Sequence, residues 1–159
     1  ARDLIRETRA DRVFIIDFWN DAPFVGGCIA GGRRFLHINH KGDVEPCIFI
    51  HFAVDNIKDK SLREVLNSPL MKAFQRRQPY SPNLYLPCAI IDHPHILREI
   101  VAETGAHPTH PGAELLVADE RIKRALDEYA QNVRKLYDPI WEEELAHLKK
   151  IQEEKNFKT

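Results

Sequence analysis

Apolar and polar residues alternate from Arg12 to Trp19, where Phe14, Ile16 and Phe18 are set against Ile15 and Asp17. A period of two in β-branched and aromatic residues predicts a strand. Ahead of it, Leu4 and Ile5 among charges predict a turn or two of helix over residues 2–10. The period of two returns in residues 34–39 and 44–50, on either side of His40-Lys41-Gly42-Asp43. That arrangement predicts a β-hairpin turning at Gly42, with Phe35, His37 and Asn39 on one face. Beyond residue 60 the period lengthens. Ser61-Leu62-Arg63-Glu64 has the spacing of a capping box, in which hydroxyl and carboxylate each satisfy a free amide at a helix start. The helix so begun carries Leu62, Val65 and Leu66 inward, breaks near Ser68-Pro69 and resumes through Leu70 and Phe74 to Arg77. Pro79, Pro82 and Pro87 mark residues 78–92 as loop, and residues 93–104 read as a helix with Pro94 in its first turn and Gly105 as its stop. From Asp119 as N-cap, Ile122, Leu126, Tyr129, Val133, Leu136 and Ile140 recur at steps of three and four. They predict a long amphipathic helix that Pro139 kinks or splits, continuing through Trp141, Leu145, Leu148 and Ile151. The fold class expected is α+β: a small antiparallel hairpin sheet with a glycine-rich loop at one end, short helices, and a long C-terminal helix packed outside.

Charge narrows the field of partners. The 159 residues hold 23 Lys+Arg against 24 Asp+Glu, so no broad field exists to attract nucleic acid or anionic lipid, and neither is expected as a partner. The early apolar run Val13-Phe14-Ile15-Ile16 stops at Asp17, far short of the roughly 18 residues of a membrane span. The charged opening does not resemble a secretory signal, and an odd count of 3 cysteines suits a reducing compartment, so a cytoplasmic location is expected. The sequence opens Ala1-Arg2-Asp3 without an initiator Met, and the expectation is a fragment of something longer.

The cysteines are where chemistry is most readily placed. Cys28 sits among Gly26, Gly27, Gly31 and Gly32, Cys47 follows Pro46, and Cys88 follows Pro87. Their spacing matches neither the CxxC knuckles of zinc ribbons nor the runs of ferredoxins. Several readings stay open on residue type alone. The three thiols could be small buried hydrophobes. Together with a histidine they could hold a structural zinc as Cys₃His. Cys28 or Cys88 with a histidine could serve a hydrolase, the glycines forming an oxyanion pocket. A phosphate loop is excluded, since neither GxGxxG nor GxxxxGK(S/T) occurs. His107 and His110 in a proline-rich stretch are read as solvated rather than metal-binding. Asp17, Trp19, Asn20 and Asp21 are read as a strand end with a packed aromatic rather than a substrate wall.

A wider pattern favours one reading. Thirteen residues separate Cys28 from Gly42, and Gly42-Asp43-Val44-Glu45-Pro46-Cys47 follows; then come Asp55-Asn56-Ile57, Ser61 to Leu66, Ser68-Pro69, Arg76 and Pro87-Cys88. This resembles the C-terminal auxiliary-cluster region of radical S-adenosylmethionine (radical SAM) enzymes, the SPASM and Twitch domains, over about residues 24–92. The resemblance implies that Cys28, Cys47 and Cys88 bind an iron–sulfur cluster. It also implies a division into a cluster domain (1–105), a linker (106–118) and a helical extension (119–159). The full SPASM pattern has seven cysteines for two clusters, so this chain is expected to hold one [4Fe-4S] cluster, closer to the Twitch arrangement. Three thiolates leave one iron without a cysteine, and His51, Asp92 and His93 are the candidates for it, unless the position stays open for substrate. Amides of the four loop glycines are expected to donate to cluster sulfurs, and Arg33 or Arg34 to offset cluster charge. The CxxxCxxC motif of the radical core is absent. S-adenosylmethionine and a second cluster are therefore expected in a core domain of the parent chain, which acts on a substrate these residues do not identify. Alone, the chain is not expected to be a complete enzyme. The alternative is an interaction module with a structural zinc.

Overall fold

A computed structural model describes residues 21–156 together with Arg12, Asp17 and Trp19, with side chains to His147. The helical turn predicted over residues 2–10 and the strand over 12–19 fall outside the described residues. The architecture is α+β, as the alternation of patterns predicts. Helix α1 (Ala22–Val25) ends on Gly26 in the left-handed region and opens the glycine loop. The hairpin follows: β1 (His37–Ile38) pairs antiparallel with β2 (Val44–Glu45), His37 opposite Glu45. Gly42 turns it with φ +93°, and a Cβ there would lie 2.6 Å from Asn56 Oδ1.

The returning strand is shorter than the alternation suggests. It stops at Glu45 because Pro46 has no N–H to continue the ladder. The Pro46 carbonyl instead accepts from Gly31 N–H at 2.8 Å, and residues 47–50 close a tight turn in which Ile50 N–H donates to the Cys47 carbonyl at 3.0 Å. The glycine loop and the Cys47 turn are thereby stitched together. A second small sheet joins β3 (Phe52–Ala53) to β4 (His107–Pro108), with Phe52 opposite Pro108. Residues expected in a linker thus contribute a strand.

The capping box at Ser61 forms as predicted: Glu64 Oε2 accepts from Ser61 N–H at 2.9 Å, and Ser61 Oγ accepts from Glu64 N–H at 3.4 Å. It starts α2 (Leu62–Leu66). Ser68 caps α3 (Pro69–Arg77), and α4 (Pro94–Thr104) ends on left-handed Gly105. Short α5 (Leu115–Ala118) precedes α6 (Glu120–Asn156), whose first turn is capped by Asp119 Oδ1 accepting from Arg121 and Ile122. Pro139 does not split α6. Phe52, Leu70, Phe74, Leu97 and Ile100 form the main core, with Cys47 in it and Cys28 and Tyr80 packed against it.

Only part of the apolar stripe that predicts α6 lies on the face by which it docks. Tyr129, Leu136 and Ile140 are exposed. The helix is anchored by Asp127 to Arg98 (2.6 Å), Arg134 to His93 (2.7 Å) and Asp138 to Asn83 (2.8 Å), with Ala130 and Trp141 buried between those contacts.

Candidate metal centre

Each cysteine is presented by a tight turn of backbone. Cys28 lies in the glycine loop, where Gly27 and Gly31 pass so close to neighbours that Cβ atoms would stand 3.2 Å from Pro79 and 2.6 Å from Phe74. Cys47 opens the turn after Pro46. Cys88 opens a turn in which its carbonyl accepts from Asp92 and His93 amides at 3.1 and 3.0 Å, while Asp92 Oδ2 accepts from its own N–H at 2.8 Å. Two of the turns share a local geometry, in which the amide two residues on donates to sulfur: Ala30 to Cys28 Sγ at 3.3 Å and Ile90 to Cys88 Sγ at 3.4 Å. At Cys47 the Phe49 and Ile48 amides lower the thiol's pKa against the effect of burial.

The three cysteines are linked electrostatically. Cys28 feels the charge of Cys47, Cys88 feels that of Cys28, and Tyr80 feels all three. Burial pushes the Cys28 and Cys47 thiols above their ordinary value and Cys88 up to about 12. Burial, followed by the charge of Cys28, likewise raises Tyr80. None of the three cysteines is in a disulfide. Desolvated sulfurs that already receive amide donors suit a positively charged inorganic core, which supplies the charge that water does not. Among the described residues, no three His, Cys, Asp or Glu side chains gather closely enough to hold a single metal ion.

The glycine amides do not serve the role expected of them. Gly26 and Gly27 donate to the Ala22 carbonyl, Gly31 to Pro46 and Gly32 to Phe35, so all four are already engaged with main chain. The glycines are needed for close approach and positive φ; the sulfur-directed amides belong to their neighbours. Arg33 does approach the site: its guanidinium donates to the Cys28 carbonyl at 3.1 Å and the Val25 carbonyl at 2.5 Å, and it lowers the pKa of Cys28 against the effect of burial.

The three further ligand candidates separate. Asp92 is 4% exposed and electrostatically coupled to Cys28 and Cys88, and burial pushes its carboxyl up to about 6. His93 is buried, its Nε2–H donating to the Leu86 carbonyl at 2.9 Å and its Nδ1 accepting from Arg134 at 2.7 Å. Burial lowers its pKa to about 4, and both ring nitrogens are occupied. His51 turns to a different cluster, 3.6 Å from Glu45 Oε2 and stacked on His110. Burial alone would raise the Glu45 carboxyl, but donation from Thr109, His37 and Asn39 outweighs it and holds it below the ordinary range. Trp19 stacks on Phe49 at 5.9 Å, at the tip of the Cys47 turn.

Sequence reasoning missed Gln78, Tyr80 and Arg134. Gln78 Nε2 donates to the Ala30 carbonyl at 2.9 Å and to Tyr80 OH at 3.4 Å, joining the Cys28 loop to the segment before Cys88. No spacing rule marks a glutamine 50 residues from its cysteine, and the only local signal was the proline that follows it.

Residues 28–90 match the SPASM family, an iron–sulfur cluster-binding domain, and the match begins on Cys28 and ends just past Cys88. The resemblance carried by the cysteine pattern is borne out: the match to an iron–sulfur cluster-binding domain falls on the segment that the pattern marks. No curated protein and no solved structure matches the chain. Among the described residues no helix is long and apolar enough to cross a membrane.

Proposed function

We propose that the chain is the auxiliary-cluster part of a radical SAM enzyme, holding one [4Fe-4S] cluster on Cys28, Cys47 and Cys88 for electron transfer or substrate positioning. The observation that supports the reading is the repeated sulfur turn: three cysteines distant in sequence all act electrostatically on Tyr80, and Cys28 and Cys88 each accept an amide from two residues on. When bound, the cluster supplies one-electron chemistry or an iron site for substrate. The chain's own residues hold it through the three sulfurs, donate amides to those sulfurs and shield them from water with Tyr80 and the Phe74 side of the core. Arg33 offsets part of the negative charge from behind Cys28. Of the fourth-position candidates, Asp92 is favoured by its coupling to Cys28 and Cys88, with a position open to substrate as the alternative. S-adenosylmethionine and the cluster that cleaves it belong, on this reading, to a core domain of the parent chain.

A structural zinc on the same cysteines is the second reading. Zinc–sulfur bonds of about 2.3 Å require donors within about 4 Å of one another. No such trio is gathered among the described residues, whereas an iron–sulfur core spans a wider gap. Anaerobic reconstitution separates the two. Iron and sulfide in near-equal amounts with absorption near about 400 nm are expected, and Cys28→Ala, Cys47→Ala and Cys88→Ala should each lower both iron content and melting temperature. Stoichiometric zinc without iron, or iron content unchanged in all three variants, would overturn the assignment. Mössbauer spectra should resolve one distinct iron that changes in Asp92→Ala; four equivalent irons in both proteins would remove Asp92 and the open position alike.

A further inference from the structure

Between residues 80–86 and α6 lies a cavity of about 550 Å³, within the range of small-molecule sites. Leu86 and Tyr80 form one wall, and the opposite wall is the α6 face bearing Arg134, Asp138, Trp141 and Leu145. A smaller cavity of about 200 Å³ opens on the other side of Arg134, against Asp92 and Asp127. Arg134 therefore borders both.

Its charge acts on Asp92, which lines the smaller cavity with it, without an ion pair forming. A guanidinium only donates, so the 2.7 Å contact with His93 Nδ1 is to a lone pair and neutralises nothing. Among the described residues no carboxylate forms an ion pair with Arg134. One helical turn on, Asp138 spends one oxygen on Asn83 at 2.8 Å, and a further turn on, Glu142 lines the same cavity and is exposed. Trp141 and Leu145 continue the wall, with Trp141 held edge-on by Tyr85 at 5.1 Å. Along α6 the cavity thus presents a cation, then carboxylates, then apolar surface, with successive turns about 5.4 Å apart. A simple anion would meet Asp138 and Glu142, and a simple cation would meet Arg134. A ligand carrying both charges and an apolar tail offends neither.

We propose that this cavity binds a zwitterion with a sizeable apolar side chain, of the class of a free α-amino acid. The carboxylate sits on Arg134, the ammonium on Asp138 and Glu142, and the side chain lies against Leu86, Trp141 and Leu145. The proposal goes beyond cluster binding and does not depend on it.

With Trp19→Phe in the full chain, Trp141 is the only remaining indole and reports on the cavity by fluorescence. L-leucine, L-leucinamide and 4-methylpentanoate are titrated against it; the last two lack the carboxylate and the ammonium respectively. Saturable binding of leucine is expected, each analogue weaker by about tenfold or more. Arg134→Gln should bring leucine down to the level of leucinamide, while Arg134→Lys should retain the preference for leucine. Should Arg134→Gln fail to fold for want of its bond to His93, the three-ligand comparison on the native side chain still decides. Equal affinity for the three compounds, or no saturable change with leucine, would overturn the proposal. Iron is measured on the same samples, and discrimination is expected at every iron occupancy, so a failure here is distinct from a failure to bind the cluster.

Discussion

Gly31 shows what the glycine loop requires. Its φ is +72°, and an added Cβ would stand 2.6 Å from Phe74 Cβ, an atom next to main chain in a buried residue that cannot swing aside. Gly105 has a similar φ of +63° but nothing within 4 Å. Gly105→Ala should therefore cost about 1 kcal/mol for backbone strain alone, and Gly31→Ala roughly 3 kcal/mol with overpacking added. Chemical denaturation of both variants checks the difference; equal losses would mean that Phe74 yields. Asp92 and His93 give a second prediction, for the metal-free protein. Asp92 has a folded pKa raised to about 6, so the native state holds its proton where the unfolded chain has lost it, and stability falls as pH rises from about 4 to about 6. His93 is lowered to about 4, so the unfolded chain takes up a proton that the native state refuses, and stability falls as pH drops from about 6.5 to about 4. Over the shared window the two oppose each other and nearly cancel, each being worth roughly 3 kcal/mol at most. Asp92→Asn should unmask stability that rises with pH through this window, and His93→Gln stability that falls. Denaturant midpoints between pH 4 and pH 7 measure both slopes, and parallel slopes in the two variants would contradict the assignment. At this scale the sequence singled out Cys28, Cys47 and Cys88 as candidate ligands, because soft donors beside glycine and proline are visible one residue at a time. It did not show that His93 has both nitrogens engaged or that the sulfur-directed amides come from Ala30 and Ile90, since those depend on how turns close in space.

Among the elements, helix starts were legible because a cap is a local event: Ser61 with Glu64, and Asp119 with Arg121 and Ile122, need only their own few residues. Strand length was less so. Alternation continues to Ile50, but the missing N–H of Pro46 ends the ladder at Glu45, and Gly31 takes the freed carbonyl. The clearest miss is the orientation of α6. Apolar periodicity selects Ile122, Leu126, Tyr129, Val133, Leu136, Ile140 and Trp141, whereas the docked face runs through Asp127, Ala130, Arg134, Asp138 and Trp141 and so shares only Trp141 with it. Three of those five are charged and earn their place by hydrogen bonding, to which a hydropathy pattern is blind. The two faces make opposite predictions. Leu136 is 65% exposed, so Leu136→Glu should alter stability by no more than about 0.5 kcal/mol. Ala130 is 7% exposed, so Ala130→Glu buries an unpaired charge and should cost about 3 kcal/mol or detach the helix. Thermal melts of the pair test this, and a large loss from Leu136→Glu would instead mean that the apolar stripe is the packed one.

At the scale of the molecule, α6 lies outside the matched SPASM segment yet reaches the turn of Cys88, one of the three proposed cluster ligands. Arg134 bonds to His93 and acts electrostatically on Asp92, the residue whose carboxylate receives the Cys88 amide. Asp138 fixes Asn83 on the same loop, and Trp141 packs on Tyr85. The Cys88 turn is therefore held on one side by the core and on the other by a helix that begins 32 residues later. The main core of Phe52, Leu70, Phe74, Leu97 and Ile100 contains no residue of α6, which packs on the outer side of α4, so a chain ending after Asp119 should keep its hairpins and its folded core. What it should lose is the order of the Cys88 turn. Outer partners of metal ligands change metal affinity by about tenfold or more when removed, and truncation removes the Arg134, Asp138 and Trp141 contacts together. Reconstituted truncated protein should start with the same iron content as the full chain but release it to a chelator about tenfold faster, with Arg134→Gln falling between the two. Release at the rate of the full chain, with the core still melting cooperatively, would reduce α6 to a tether whose contacts with the loop are incidental to the metal.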